Sequence, residues 1–200
     1  MNKLLGTLTV LVVTTLSQVE AADTGNVVFE LKTEQVSGFY LNDQDDTKVV
    51  VAPGTNVNCR FRIRNIDEHR APDGYRGWHI ERQLTLPQQD PKDQKPRFDD
   101  FFWNAKKFSS PFSPSFAETF TFFDPFTDPP NRREAQFDHD ARALRLAMQG
   151  AGGFLQYIYT FVLSPSLKTV EKVNYTAIVF GKTDTNLDCT GQAPLSGEYQ

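Results

Sequence analysis

Apolar and polar residues alternate along most of this chain with a period of two, the spacing at which neighbouring side chains of a strand point to opposite faces. Val57, Cys59, Phe61 and Ile63 alternate with Asn58, Arg60, Arg62 and Arg64, which predicts a strand with one face to a core and one to water. Pro53-Gly54 separates it from Lys48-Val49-Val50-Val51. Asn26 to Lys32 reads as an opening strand, with Val27, Phe29 and Leu31 opposed to Val28, Glu30 and Lys32. Trp78, Ile80, Leu84 and Leu86 share one parity, and Arg82 interrupts it, which predicts a bulge or an edge position.

Phe116, Phe120 and Phe122 alternate with Thr119 and Thr121. Leu144, Leu146 and Met148 lead through Gly150-Ala151-Gly152-Gly153 into Phe154 to Leu163, the pattern of a hairpin with a glycine-rich turn. Ala141, Leu144 and Met148 also have helical spacing, but strand is the preferred reading for 140–148. Val173 to Phe180 is almost continuously apolar or β-branched and predicts a central strand. Some eight strands with turn residues between them and little helical periodicity predict an all-β domain. The expected architecture is an antiparallel β-sandwich or jelly roll with long loops.

Two stretches depart from the alternation. Residues 87–97 have no apolar face and predict a solvated loop. Ten of the seventeen phenylalanines lie between Phe98 and Phe126, among Ser, Pro and Asp, so 98–130 reads as a Phe/Pro-rich insertion. The rings either plug the end of the sandwich or form an exposed surface for a partner. Plugging is favoured by the apolar area involved, about 150–250 Å² for each aromatic. Should the surface be exposed, Phe101, Phe102, Trp103 and Phe112 are the expected contacts to an unknown protein or carbohydrate.

The N-terminus changes the compartment. Lys3 precedes an uncharged run from Leu4 to Leu16, and Val19-Glu20-Ala21 then presents short side chains before Ala22. This is the pattern of a secretory signal peptide, residues 1–21, followed by a single β-rich domain over 22–200. An extracytoplasmic location is expected: secreted, cell-surface or periplasmic. No later segment reaches the roughly 18 apolar residues of a membrane helix. A net charge of −4 with mixed signs argues against a nucleic-acid partner. Cys59 and Cys189 are the two cysteines, and in an oxidising compartment a disulfide between them is expected, tying an early strand to a polar C-terminal tail.

Candidate chemistry is sparse. The chain has no Gly-x-Ser-x-Gly elbow, His-Glu-x-x-His helix or Cys-x-x-Cys pair, and an enzyme is not expected. Asn42-Asp43-Gln44-Asp45-Asp46 lacks the glycine and distal glutamate of a calcium loop and reads as a charged hairpin turn. Asn174-Tyr175-Thr176 fits a glycosylation sequon but lies within a strand. The three histidines, His69, His79 and His139, each lie beside an acid or an aromatic, and imidazole suits copper and zinc. The expected function is therefore a secreted non-catalytic binding protein. The alternative is a mononuclear copper protein using His79 and His139, with His69 as substitute.

Overall fold

A computed structural model describes residues 26–52, 54–87, 94–122, 131–150 and 153–199. The proposed signal peptide, Pro53, the middle of the polar loop, Phe123, Phe126 and the Ala151-Gly152 tip lie outside the described residues. Among the described residues, twelve antiparallel strands form two sheets, with a short 3₁₀ turn at Gly197–Tyr199. The smaller sheet has the order β1 (Val27–Lys32), β4 (Asn58–Asn65), β5 (Tyr75–Thr85), β6 (Arg97–Asn104). The larger runs β3 (Lys48–Val51), β2 (Gln35–Leu41), β12 (Lys182–Pro194), β11 (Thr169–Val179), β10 (Leu155–Leu163), β9 (Ala143–Gly150), β8 (Asn131–Asp138), β7 (Ala117–Phe122). The core lies between them, as the alternation requires. Phe29 meets Phe161 at 5.5 Å between ring centroids, and Phe61 meets Tyr159 at 6.3 Å.

Most strands follow the alternation directly. Cys59, Phe61 and Ile63 of β4 are buried, while Arg60, Arg62 and Arg64 face outward and pair with Glu30 of β1 and Glu81 of β5. A register shift between Val27 and Phe29 turns Val28 and Phe29 both inward, so the strict parity of β1 fails at its first turn of the pleat. Residues 143–150 form a strand, and β11 lies inside the larger sheet. The acidic segment 42–47 is the β2–β3 turn, where Asn42 and Asp45 side chains accept backbone N–H bonds from Gln44 and Thr47.

Three expectations are corrected. The stretch 98–130 is not one long loop: β6 and β7 occupy much of it. The C-terminal segment is not a tail but β12, paired with β11 on one side and β2 on the other. Its inward residues are Thr185, Leu187, Cys189, Gly191 and Ala193, mostly too small or polar to register as a hydrophobic stripe. Arg82 marks neither a bulge nor an edge. It lies in a strand paired on both sides, opposite Phe61 and Arg97, and its side chain is buried.

The partner-contact expectation is corrected as well. Phe101, Phe102, Trp103 and Phe112 are 2%, 7%, 0% and 9% exposed, so none of them presents a surface. Trp78 holds this cluster together, with Trp103 and Phe112 each at 5.5 Å between centroids. Phe101 and Phe102 are consecutive yet both buried. Phe101 faces the core; Phe102 covers Gly77, its cross-strand partner, where an added Cβ would come within 2.6 Å of the ring. The segment after β6 turns back so that Phe108, Phe112 and Phe116 close the sandwich. Phe101, Phe108, Phe112 and Phe116 are a plug, whereas Phe98 is 49% exposed beside His79.

Candidate functional site

The β2–β3 and β11–β12 turns lie at one end of the larger sheet, where Phe154 also leads into β10, because the neighbouring antiparallel strands meet at that end. The β5–β6 connection of the smaller sheet ends at the same place, carrying Lys95 into Arg97. Between the two sheets at this end lies a cavity of about 340 Å³. Arg82, Leu84, Lys95 and Arg97 line it from the smaller sheet and its loop. Tyr157, Tyr175, Ala177, Val179, Asp184 and Thr185 line it from the larger, and Asp43 from the β2–β3 turn.

Arg82 is the centre of the site. Its Nη1 donates to the hydroxyls of Tyr159 at 2.8 Å and Tyr175 at 2.7 Å. The Tyr159 hydroxyl in turn donates to Asp99 Oδ2 at 2.6 Å, and that carboxylate lies 3.9 Å from Arg82 Nη1. The guanidinium also sits over the rings of Tyr175 and Tyr157, 4.6 and 4.7 Å from their centroids. Burial works against its charge, but the tyrosines and Asp99 outweigh burial, so the guanidinium is held more firmly protonated than usual. Burial is also the main force on the two buried tyrosines and raises both, which keeps their hydroxyls available as neutral partners.

At the same end of the larger sheet stands an exposed aromatic pair. Phe180 is 76% and Phe154 57% exposed, their rings 5.2 Å apart, and the Phe180 N–H donates to the Phe154 carbonyl. Phe180 and Gly181 form a two-residue hairpin turn with φ of 48° and 77°. A bulky residue rarely occupies this left-handed region, and such strain collects at working sites. Asn fits the same position, so Phe180→Asn is expected to stabilise the fold by about 0.5–1 kcal/mol, the left-handed cost less the lost ring contact. Urea unfolding checks this, and a variant less stable than the parent contradicts it.

The histidines do not assemble. His79 Nδ1 lies 2.7 Å from Asp100 Oδ1 and its ring stacks on Phe98 at 5.1 Å, on the outer side of the smaller sheet. His139 begins the β8–β9 turn beside Phe137, and His69 belongs to the β4–β5 turn. Among the described residues, no three of His, Cys, Asp and Glu gather into a group that could hold a metal ion. His69 does line a cavity of about 430 Å³ at the opposite end of the sandwich. Four of the polar groups there are engaged with one another: Arg76 with Glu198, Glu198 with Asn65, and Asn65 with Tyr199. The Tyr199 hydroxyl also accepts from Trp78 Nε1. That network fixes the Gly197–Tyr199 turn.

The sequon asparagine, Asn174, is half-buried and donates to Asn186 and Asp188 across β12. The central group of the site, Arg82, carried one sequence signal, a cation on the apolar parity of its strand. No protein family, curated protein or solved structure matches the chain.

Proposed function

We propose that this chain is a secreted, non-catalytic binding domain and that its ligand, a carbohydrate, seats at the end of the sandwich where the hairpin turns gather. The carrying observation is the buried, tyrosine-bound Arg82 at the wall of a cavity that lies at the same end of the larger sheet as the exposed Phe154–Phe180 pair. The cavity is concave, and its lining sets five charged side chains beside two tyrosines and three aliphatic residues, a combination that suits a small polar ligand. The Cys59–Cys189 disulfide fits an extracytoplasmic protein, and no helix among the described residues is long and apolar enough to cross a membrane.

Two carboxylates, Asp43 and Asp184, line the cavity, and the reading assigns them to binding and not to catalysis. Glycoside hydrolysis uses two carboxylates, one of them raised to act as an acid. Here Asp99 is occupied as the partner of Tyr159 and Arg82. Asp184, whose Oδ2 accepts from Thr185, is the acceptor the reading assigns to a ligand hydroxyl.

The test is binding of the mature chain to an array of immobilised oligosaccharides, beside Tyr157→Ala and Lys95→Gln variants. Retention of at least one glycan class, recovered unaltered and weakened by both variants, is the expected result. Binding that neither variant changes, no binding at all, or cleavage of the retained glycan would each overturn the reading.

A further inference from the structure

The cavity does not account for the Phe154–Phe180 pair, since neither ring lines it. Phe180 caps the β11–β12 turn, and Phe154 leads into β10, the strand beside β11. The next residue of each strand, Leu155 and Val179, are cross-strand partners, both half-buried. After Phe180 and Gly181 the first charged residue is Lys182, whose ammonium lies 3.7 Å from Asp46. Phenylalanine is kept at a position where the backbone favours Asn or Gly, and its ring stands mostly in water, in contact with Phe154.

Size argues against a protein as the occupant. At about 200 Å² for a whole aromatic side chain, the pair exposes roughly 270 Å², and a stable interface takes about 800 Å² from each side. A lipid surface needs no matching area, because each ring is stabilised singly as it leaves water. The backbone of the tip suits such a layer as well. The Phe180 N–H donates to the Phe154 carbonyl at 2.8 Å, so this donor and acceptor would enter a water-poor region already bonded. Charge selects the kind of lipid. Asp45 and Asp46 are exposed on the β2–β3 turn at the same end, and an anionic surface would repel them. We infer that the Phe154–Phe180 tip is a membrane-contact site, its two rings seated in the interfacial layer of a zwitterionic surface such as phosphatidylcholine.

Flotation of the mature chain with phosphatidylcholine vesicles tests this, and the parent is expected to float with them. Phe180→Asn, which eases the turn, and Phe154→Ser are each expected to stay folded and to weaken binding at least about tenfold. Phe180→Trp keeps an aromatic ring and is expected to retain binding. Trp78 and Trp103 are fully buried, so a blue shift of its emission on adding vesicles reports the introduced indole leaving water. Admixture of phosphatidylserine is expected not to strengthen binding.

Absence of flotation, flotation that neither Phe180→Asn nor Phe154→Ser weakens, or binding that requires phosphatidylserine contradicts the inference. Self-association through Phe180 with no vesicle binding also contradicts it and makes the tip a protein contact. The vesicles carry no sugar. A silent glycan array beside a floating parent therefore removes the carbohydrate and keeps the membrane contact, and the reverse pattern does the opposite.

Discussion

Replacement of Arg82 by alanine is expected to lower the unfolding free energy by about 3–5 kcal/mol, the range found when one partner of a buried charged pair is removed. The loss has three sources. The hydroxyl of Tyr175, buried between the sheets, loses its donor, and Tyr159 loses the charge that holds it against Asp99. Asp99, largely covered, loses the cation 3.9 Å from it and keeps only the more general field of Arg133. The ring faces of Tyr157 and Tyr175 lose the guanidinium that packs on them. Arg82→Lys keeps a charge but reaches both hydroxyls less well, and its loss is expected to be roughly half as large. Urea unfolding followed by tyrosine and tryptophan fluorescence measures both. A cost below about 1 kcal/mol for the alanine variant would mean that solvent already satisfies these groups.

Removal of the disulfide is the second large effect. Cys59 of β4 and Cys189 of β12 are both buried and joined at 2.09 Å, so the bond crosses from one sheet to the other. The bridged residues are 130 positions apart. For a loop of that size the chain-entropy argument gives about 4–5 kcal/mol, an upper figure because reduced unfolded chains keep some structure. The Cys59→Ala/Cys189→Ala double variant is expected to lose about 3–5 kcal/mol while its far-ultraviolet circular dichroism at room temperature stays that of a β protein. That second expectation follows from the pairing of β12, which is bonded along its length to β11 and over six residues to β2 without help from the sulfurs. A double variant as stable as the parent, or one already unfolded, would contradict the account.

The same comparison shows how far the sequence could be read. β4 was legible because its buried residues are large and its exposed ones charged, so alternation and burial coincide. β12 was not, because threonine, glycine and alanine fill its inward positions. Gly191 approaches the backbone of Lys32 so closely that an added Cβ would lie 2.5 Å from its carbonyl oxygen. A strand selected for close approach carries no hydrophobic signature. The Phe-rich stretch was legible in composition and ambiguous in role: the same rings serve a plug or an exposed surface. The choice depended on Trp78, on a strand distant in sequence, being there to receive Trp103 and Phe112.

Arg82 shows the limit most clearly. Its parity marked it as anomalous, and a bulge or an edge is the local explanation of a cation on an apolar face. The actual explanation is tertiary. Tyr159 and Tyr175 lie on adjacent strands of the other sheet, directly opposite each other in register, and Asp99 lies on the next strand of its own. Sequence alone determined the strand class, the inward parity of most strands and the single cysteine pairing, because each depends on local period or on counting. Tertiary structure decided the fate of the buried charge, the closure of the aromatic plug and the gathering of turns around one cavity. Each of these requires groups dozens of residues apart to meet across the packed sheets, and no local period encodes which groups those are.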